Sequence, residues 1–189
     1  EGMLPVQVYV EFGEEQQVGQ QPGQSVQVGV QPLTEITSSD KVLWVHPGLG
    51  KTFLRNLTEN IIDFDTDYKS KINTKYNLEE GFEARNAWRK QNSDLWDKEV
   101  KSLWKQAKAE AKKTGKILVA SDVILIKEFS KDFDKFITTS EENFVKRAKQ
   151  RNDYNQGSTE SWKKTIDTNL KTVDNSKLFT TDKYLSDFI

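Results

Sequence analysis

From Lys41 onward, short apolar runs alternate with longer stretches in which apolar residues recur every three or four positions. That is the pattern of strands separated by helices. Val42–Val45 is a short apolar run that ends in His-Pro-Gly-Leu-Gly, and Lys51–Leu57 continues with helical spacing. Residues 61–65, Ile-Ile-Asp-Phe-Asp, read as a second strand ending on carboxylates. Across residues 76–113, Trp88, Leu95, Trp96, Val100, Leu103, Trp104 and Ala107 define an amphipathic helical region. It is predicted to be two helices broken near Asn92-Ser93, with Ser93 as an N-cap. Gly115 stops it, and residues 117–122 form the strongest predicted strand, followed by a helix over Val123–Phe129. Residues 136–139 predict a fourth strand, and Ser140-Glu141-Glu142 a capped helix running to Arg151. Residues 158–170 and 184–188 predict a helical tail. The alternation implies an α/β fold of parallel βαβ units, with a sheet covered on both faces.

The start of the chain has a different rhythm. Val6, Val8, Val10 and Phe12, then Val26, Val28 and Val30, alternate with polar residues, and Gly13, Gly19, Pro22 and Gly23 punctuate the connection. The segments PVQVYV and SVQVGV predict a hairpin or a short duplication. A lone hairpin is marginal in water, so it is expected to pack on its own domain or on another chain. Charge divides at the same place. The total is 28 bases against 29 acids, but residues 1–36 hold five acids and no base (−5), leaving 28 − 24 = +4 for residues 37–189. The division predicts an N-terminal β-strand arm, residues 1–38, on a single domain, residues 39–189.

Composition narrows the chemistry. Aromatic residues make up 11% of the 189 and charged residues 30%, which reads as a globular protein rather than disorder. A net charge of −1 supplies no global field to recruit nucleic acid or an anionic membrane. No apolar run approaches the ~18–20 residues of a membrane span. With no cysteine and only His46, there is no disulfide frame, thiolate cage or histidine metal cluster. The chain opens on Glu1 rather than Met, which is taken as a mark of processing or trimming.

Four motifs carry candidate chemistry. His46-Pro47-Gly48-Leu49-Gly50-Lys51-Thr52 follows a strand and precedes a helix. A phosphate-binding loop needs small residues so that backbone N–H groups converge, a lysine for the terminal phosphates and a hydroxyl for Mg²⁺. Val45 stands where the full pattern asks for glycine, and the alternative is a solvent turn capping a helix. Asp63 and Asp65 at the end of the second strand would share one face, one orienting Mg²⁺ and the other a substrate hydroxyl, or else form a solvated acidic turn. Ser121-Asp122 closes the strongest strand, where Asp122 is either a metal-orienting acid or the N-cap of the next helix. Arg147 and Arg151, four apart beside Lys146 and Lys149, form either a phosphoryl clamp or a charged solvated face. Arg85 and Arg89 repeat that spacing, with the solvated face preferred. His46 is a loop residue that either touches a phosphate or base or shapes the turn. The Trp88, Trp96 and Trp104 stripe is read as core.

In this order VLWVHPGLGKT, IIDFDTD, KILVASD and FITTSEENFVKRAKQR resemble the P-loop nucleoside monophosphate kinase and shikimate kinase group, in particular small phage and bacterial nucleotide-kinase-like proteins. The resemblance covers about residues 40–189. It implies a three-layer fold and an ATP-dependent kinase acting on a small phosphate acceptor, most naturally a nucleotide. Lys51 would neutralise the β/γ-phosphates, Thr52 would hold Mg²⁺, Asp63 and Asp65 would assist metal and acceptor, and Arg147 and Arg151 would belong to a lid. It also implies a cytoplasmic location in a bacterial or phage-infected cell. Residues 1–36 have no counterpart in such a core. They support an alternative of another class: a virion assembly protein that keeps the kinase-like fold and docks to a protein partner or a second copy by strand addition.

Overall fold

The computed structural model describes residues 30–78, 82–152 and 154–189. The hairpin expected within residues 1–29 lies outside them. The elements in order are β1 (Gln31–Pro32), β2 (Val42–Val45), α1 (Lys51–Leu57), β3 (Ile61–Asp63), a π-helical turn (Asp65–Lys69), α2 (Ser70–Lys75), α3 (Phe82–Gln91), α4 (Ser93–Thr114), β4 (Ile117–Ala120), α5 (Val123–Phe129), β5 (Lys135–Thr138), α6 (Glu141–Gln150), α7 (Gln156–Leu170) and β6 (Leu178–Thr180). The fold is α/β, and the strand pairings within each of its two compact units are parallel. Among the described residues, 37–45 and 50–134 make one unit; 30–36, 46–49 and 135–189 make the other. The units interleave along the chain, whereas composition draws one boundary near residue 38.

In the unit containing residues 50–134, β4 lies between β2 and β3, with Val42 opposite Leu118 and Ile61 opposite Ile117. Leu43, Trp44, Val45, Leu118, Val119 and Ala120 are buried, as expected of unbroken apolar strands in a parallel sheet. The amino end of β2 is held from 92 residues away. Asp134 Oδ2 accepts the Lys41 and Val42 N–H groups at 2.8 and 2.9 Å, and the Asp134 N–H donates to Val42 O at 2.8 Å.

Helix α4 buries Trp96, Val100, Leu103, Trp104, Ala107 and Ala111, the face its three- and four-residue spacing predicts. Trp104 is fully buried, stacks on Phe133 at 5.2 Å and meets the edge of Phe64 at 5.3 Å. Its indole N–H donates to Asp132 at 3.0 Å, so no polar atom is stranded. Trp96 is also core, while Trp88 is half-buried against Tyr76. The helical break falls at Asn92, whose amide donates to Trp88 O at 2.9 Å; Ser93, expected as the cap, is instead the first helical residue.

A larger difference follows Asp63. The second strand was expected to reach Asp65, but it stops at Asp63, and Phe64 already has helical dihedrals. The polar run DTDYKSKINTK, in which Ile72 is the buried residue of α2, then forms the π-helical turn and α2.

In the other unit the order is β1-β6-β5, with Gln31 opposite Phe179 and Phe136 opposite Leu178. Ser140 caps α6 as predicted, its hydroxyl accepting Asn143 N–H at 3.1 Å. Helix α7 buries Thr159, Lys163, Ile166 and Leu170. The expected terminal helix is only a 3₁₀ turn over Leu185–Asp187, and the short strand β6 has too little pattern to be read from sequence. No helix of the described residues is long and apolar enough to cross a membrane.

Helix α4 ends on Gly115 at φ +73°, with nothing within 4 Å of where a Cβ would stand. Gly115→Ala should therefore cost about 1 kcal/mol from backbone strain alone. In urea titration the midpoint should fall while the slope stays unchanged.

Candidate functional site

Parallel strands bring the carboxyl ends of β2, β4 and β3 to one sheet edge, where open α/β folds bind ligands. The loop after β2 turns twice through the left-handed region, at Gly48 (φ +94°) and Gly50 (φ +84°). Glycine permits both turns without Cβ strain. Val45 is a buried strand residue, and its carbonyl accepts the Ser121 hydroxyl, so the missing first glycine falls before these turns. Helix α1 then opens at Lys51 with neither a side-chain cap nor an acid in its first turn.

Asp63 is the hub of this edge and is fully buried. Its Oδ2 accepts the hydroxyls of Thr52 and Thr66, each at 3.2 Å, and its Oδ1 accepts Asp65 N–H at 3.1 Å. The Lys51 ammonium is 3.9 Å from Asp63 and 3.1 Å from Asp65 Oδ2. Asp65 Oδ1 pairs with Lys69 at 3.2 Å, and Lys69 pairs with Asp122 Oδ2 at 2.9 Å. Three carboxylates therefore face two ammonium groups. Asp67 folds back, accepting Asp63 N–H at 2.9 Å and pairing with Arg55.

The electrostatics follow from this chain of charges. Burial pushes the Asp65 carboxyl up, but the Lys69 and Lys51 charges outweigh it and hold the group below its usual range. Burial alone would lower Lys69; Asp65 and Asp122 reverse the sign and raise it.

Lys51, Thr52, Asp63, Asp65 and Asp122, chosen from sequence, thus meet in one cluster. Asp63 and Asp65 do so by a different route from the shared strand face expected, because the chain turns helical between them. Asp122 is the N-cap of α5, its Oδ1 accepting Ile124 N–H at 3.0 Å, while its other oxygen holds Lys69. Thr66 and Lys69 join the cluster without a motif of their own. Their signal in the sequence is the i, i+4 spacing of Asp65 and Lys69, which the strand-like IIDFD masks.

Of the remaining candidates, His46, Arg147 and Arg151 belong to the other unit, and Arg89 to the unit of the cluster. His46 is fully buried: its backbone N–H donates to Ile137 O at 2.8 Å, ring Nδ1 lies 3.0 Å from Pro47 O, and the ring meets Phe144 edge-on at 4.8 Å. The imidazole is sealed away from any ligand, and burial followed by the nearby Lys163 charge pulls its pKa well below the usual value. In place of a lid arginine, Arg147 is 7% exposed and committed to backbone: Nη1 donates to Gly48 O at 2.6 Å and Nη2 to Asp182 O at 2.7 Å. Its guanidinium lies 3.7 Å over the Tyr184 ring. Leu185 N–H binds Leu49 O at 2.8 Å. Arg151 closes α6, with Nη1 3.4 Å from the place a Cβ on Gly48 would take. Arg89 lies 4.9 Å over the Trp96 ring.

A groove of about 650 Å³ lies in the first unit beside the amino ends of β3 and β4, walled by Arg55, Glu59, Ile61, Tyr68, Lys71 and Lys116. Asp67 and Glu110 also line it, so three acids face three bases and no one ligand charge is favoured. Among the described residues, no group of three or more His, Asp or Glu side chains is placed to hold a metal ion. Mg²⁺ is usually held by one or two carboxylates together with substrate phosphates, which the Thr52–Asp63 pair fits. No protein-family model, curated protein or solved structure matches the chain.

His46 gives a pH dependence. An unfolded chain protonates its imidazole near pH 6.5 while the folded one stays neutral. Stability should be full above that pH and fall by about 1.4 kcal/mol per pH unit below it, until the folded group itself protonates. Urea denaturation between pH 5 and 8 measures the slope. The single imidazole NMR signal should show no titration between pH 7 and 6.

Proposed function

We propose that the chain is a P-loop phosphotransferase, an ATP-dependent kinase that uses Mg²⁺ and acts on a small acceptor, in which residues 40–189 adopt the three-layer kinase arrangement. The observation that carries the reading is the Thr52 hydroxyl set against the buried Asp63 carboxylate, at the first turn of the helix that follows a Gly48–Gly50 loop. A P-loop hydroxyl and a strand-end aspartate are the two protein groups that hold Mg²⁺ in P-loop NTPases. When bound with the nucleotide, Mg²⁺ supplies neutralisation of charge on the β- and γ-phosphate oxygens.

In this reading Lys51 reaches the terminal phosphates from the start of α1, and the positive end of that helix adds to its field. Asp65 holds Lys51 in place before a ligand arrives. Arg147 works indirectly, fixing the Gly48 carbonyl so that the loop keeps its shape. Catalysis of this kind is positioning and charge neutralisation, with no covalent step on the protein. A nucleotide as acceptor follows the family resemblance of the four motifs and is the first substrate class to assay.

Thermal unfolding with Mg²⁺ and ATP, GTP or dATP tests the reading. At 100 times Kd the bound nucleotide should stabilise the protein by about 2.7 kcal/mol. Lys51→Met should abolish the shift. Thr52→Val should retain a nucleotide-induced shift and lose most of its dependence on Mg²⁺. Absence of a shift with all three nucleotides would overturn the proposal.

A further inference from the structure

A phosphate loop does not require Lys69, yet this side chain organises the charges around Lys51. Asp65 holds its two lysines on different oxygens: Oδ2 to Lys51 at 3.1 Å and Oδ1 to Lys69 at 3.2 Å. Departure of Lys51 therefore leaves the Lys69 contact in place. Lys69 is anchored in turn by Asp122 at 2.9 Å, and Asp122 is 4% exposed and fixed by its cap to α5. The π-helical turn makes this possible by setting Asp65 and Lys69 on one side, and such turns occur often at functional sites.

A ligand phosphate competes with Asp65 for the Lys51 ammonium. If Lys51 were the sole counter-ion of Asp65, its transfer would strand a carboxylate whose side chain is only 23% exposed, and the ligand would bear that cost. We propose that Lys69 is a positioning residue that releases Lys51: it stays on Asp65 as the Lys51 ammonium moves to the polyphosphate, keeping the carboxylate compensated throughout. The proposal rests on the phosphate-loop reading and adds a residue outside the loop that sets how readily the loop lysine becomes available. Asp65 and Asp122 hold the Lys69 ammonium in its charged form, so the release is electrostatic rather than titrated.

Calorimetric binding of Mg²⁺·ATP and of inorganic tripolyphosphate to the full chain tests it. Lys69→Met should weaken both by roughly tenfold to a hundredfold, the scale of removing one partner from a partly buried charge pair. Lys69→Arg should bind within about threefold of the wild type, because the charge is retained. Asp65→Asn should bind at least as tightly as the wild type, and Lys69→Met/Asp65→Asn should recover the affinity lost in Lys69→Met. If the wild type binds neither ligand, the phosphate-loop reading fails and this inference falls with it. If the wild type binds and Lys69→Met binds equally well, only the inference fails. A weakened Lys69→Met that Asp65→Asn does not restore would make Lys69 a direct phosphate contact and overturn the releasing role. Should Lys69→Met not fold, Asp65→Asn decides alone: a loss of affinity there overturns the proposal.

Discussion

The Asp63 carboxylate lies fully buried at the end of β3, and a charge so placed persists only where its lone pairs are answered. Two hydroxyls, one backbone N–H and a lysine at 3.9 Å supply the answer. Each comes from a neighbouring piece of chain that this demand brings into place. Thr52 and Lys51 come from the first turn of α1, while Thr66 and the Asp65 N–H come from the π-helical turn. Strand β3 stops at Asp63, and the turn that follows brings the Asp65 N–H to the carboxylate two residues before it. The Lys51–Asp65–Lys69–Asp122 chain is the outer ring of the same arrangement, and it extends Asp63's influence to the cap of α5.

The other unit is built on a different economy, in which backbone carbonyls are held by long side chains and turns. Arg147 spends both of its terminal nitrogens on the carbonyls of Gly48 and Asp182 and lays its plane on Tyr184. Asp182 receives Thr139 and Ser140, which gathers the start of α6 and the segment after β6 around one carboxylate. Burial pushes that carboxyl up, and these donors together with Arg147 draw it lower still. Arginine suits the task because a planar fork can serve two acceptors at once. Arg147, which a motif reading would send to a ligand, therefore holds the 46–49 loop by the Gly48 carbonyl.

Where periodicity was strong, the elements were legible from sequence. Strands β2 and β4 are unbroken apolar runs, and α4 repeats its apolar face over six turns. Gly115 and Ser140 carry the chemistry of a stop and a start that needs no tertiary help. Legibility failed in polar or very short segments. DTDYKSKINTK offers almost no apolar stripe, and β1 and β6 have two and three residues. Such elements exist because neighbours pair with them.

The sequence by itself determined the parallel α/β plan, the loop after β2, and the residue types Lys51, Thr52, Asp63, Asp65 and Asp122, because apolar period and turn chemistry are local properties. Only the tertiary structure decided what each of them does. Asp122 became a cap and an anchor, His46 a buried neutral ring, Arg147 a brace and Lys69 a member of the cluster. These outcomes depend on burial and on partners far along the chain, such as the 53 residues separating Lys69 from Asp122. The desolvation and pairing that fix a charge's role arise only when such partners meet.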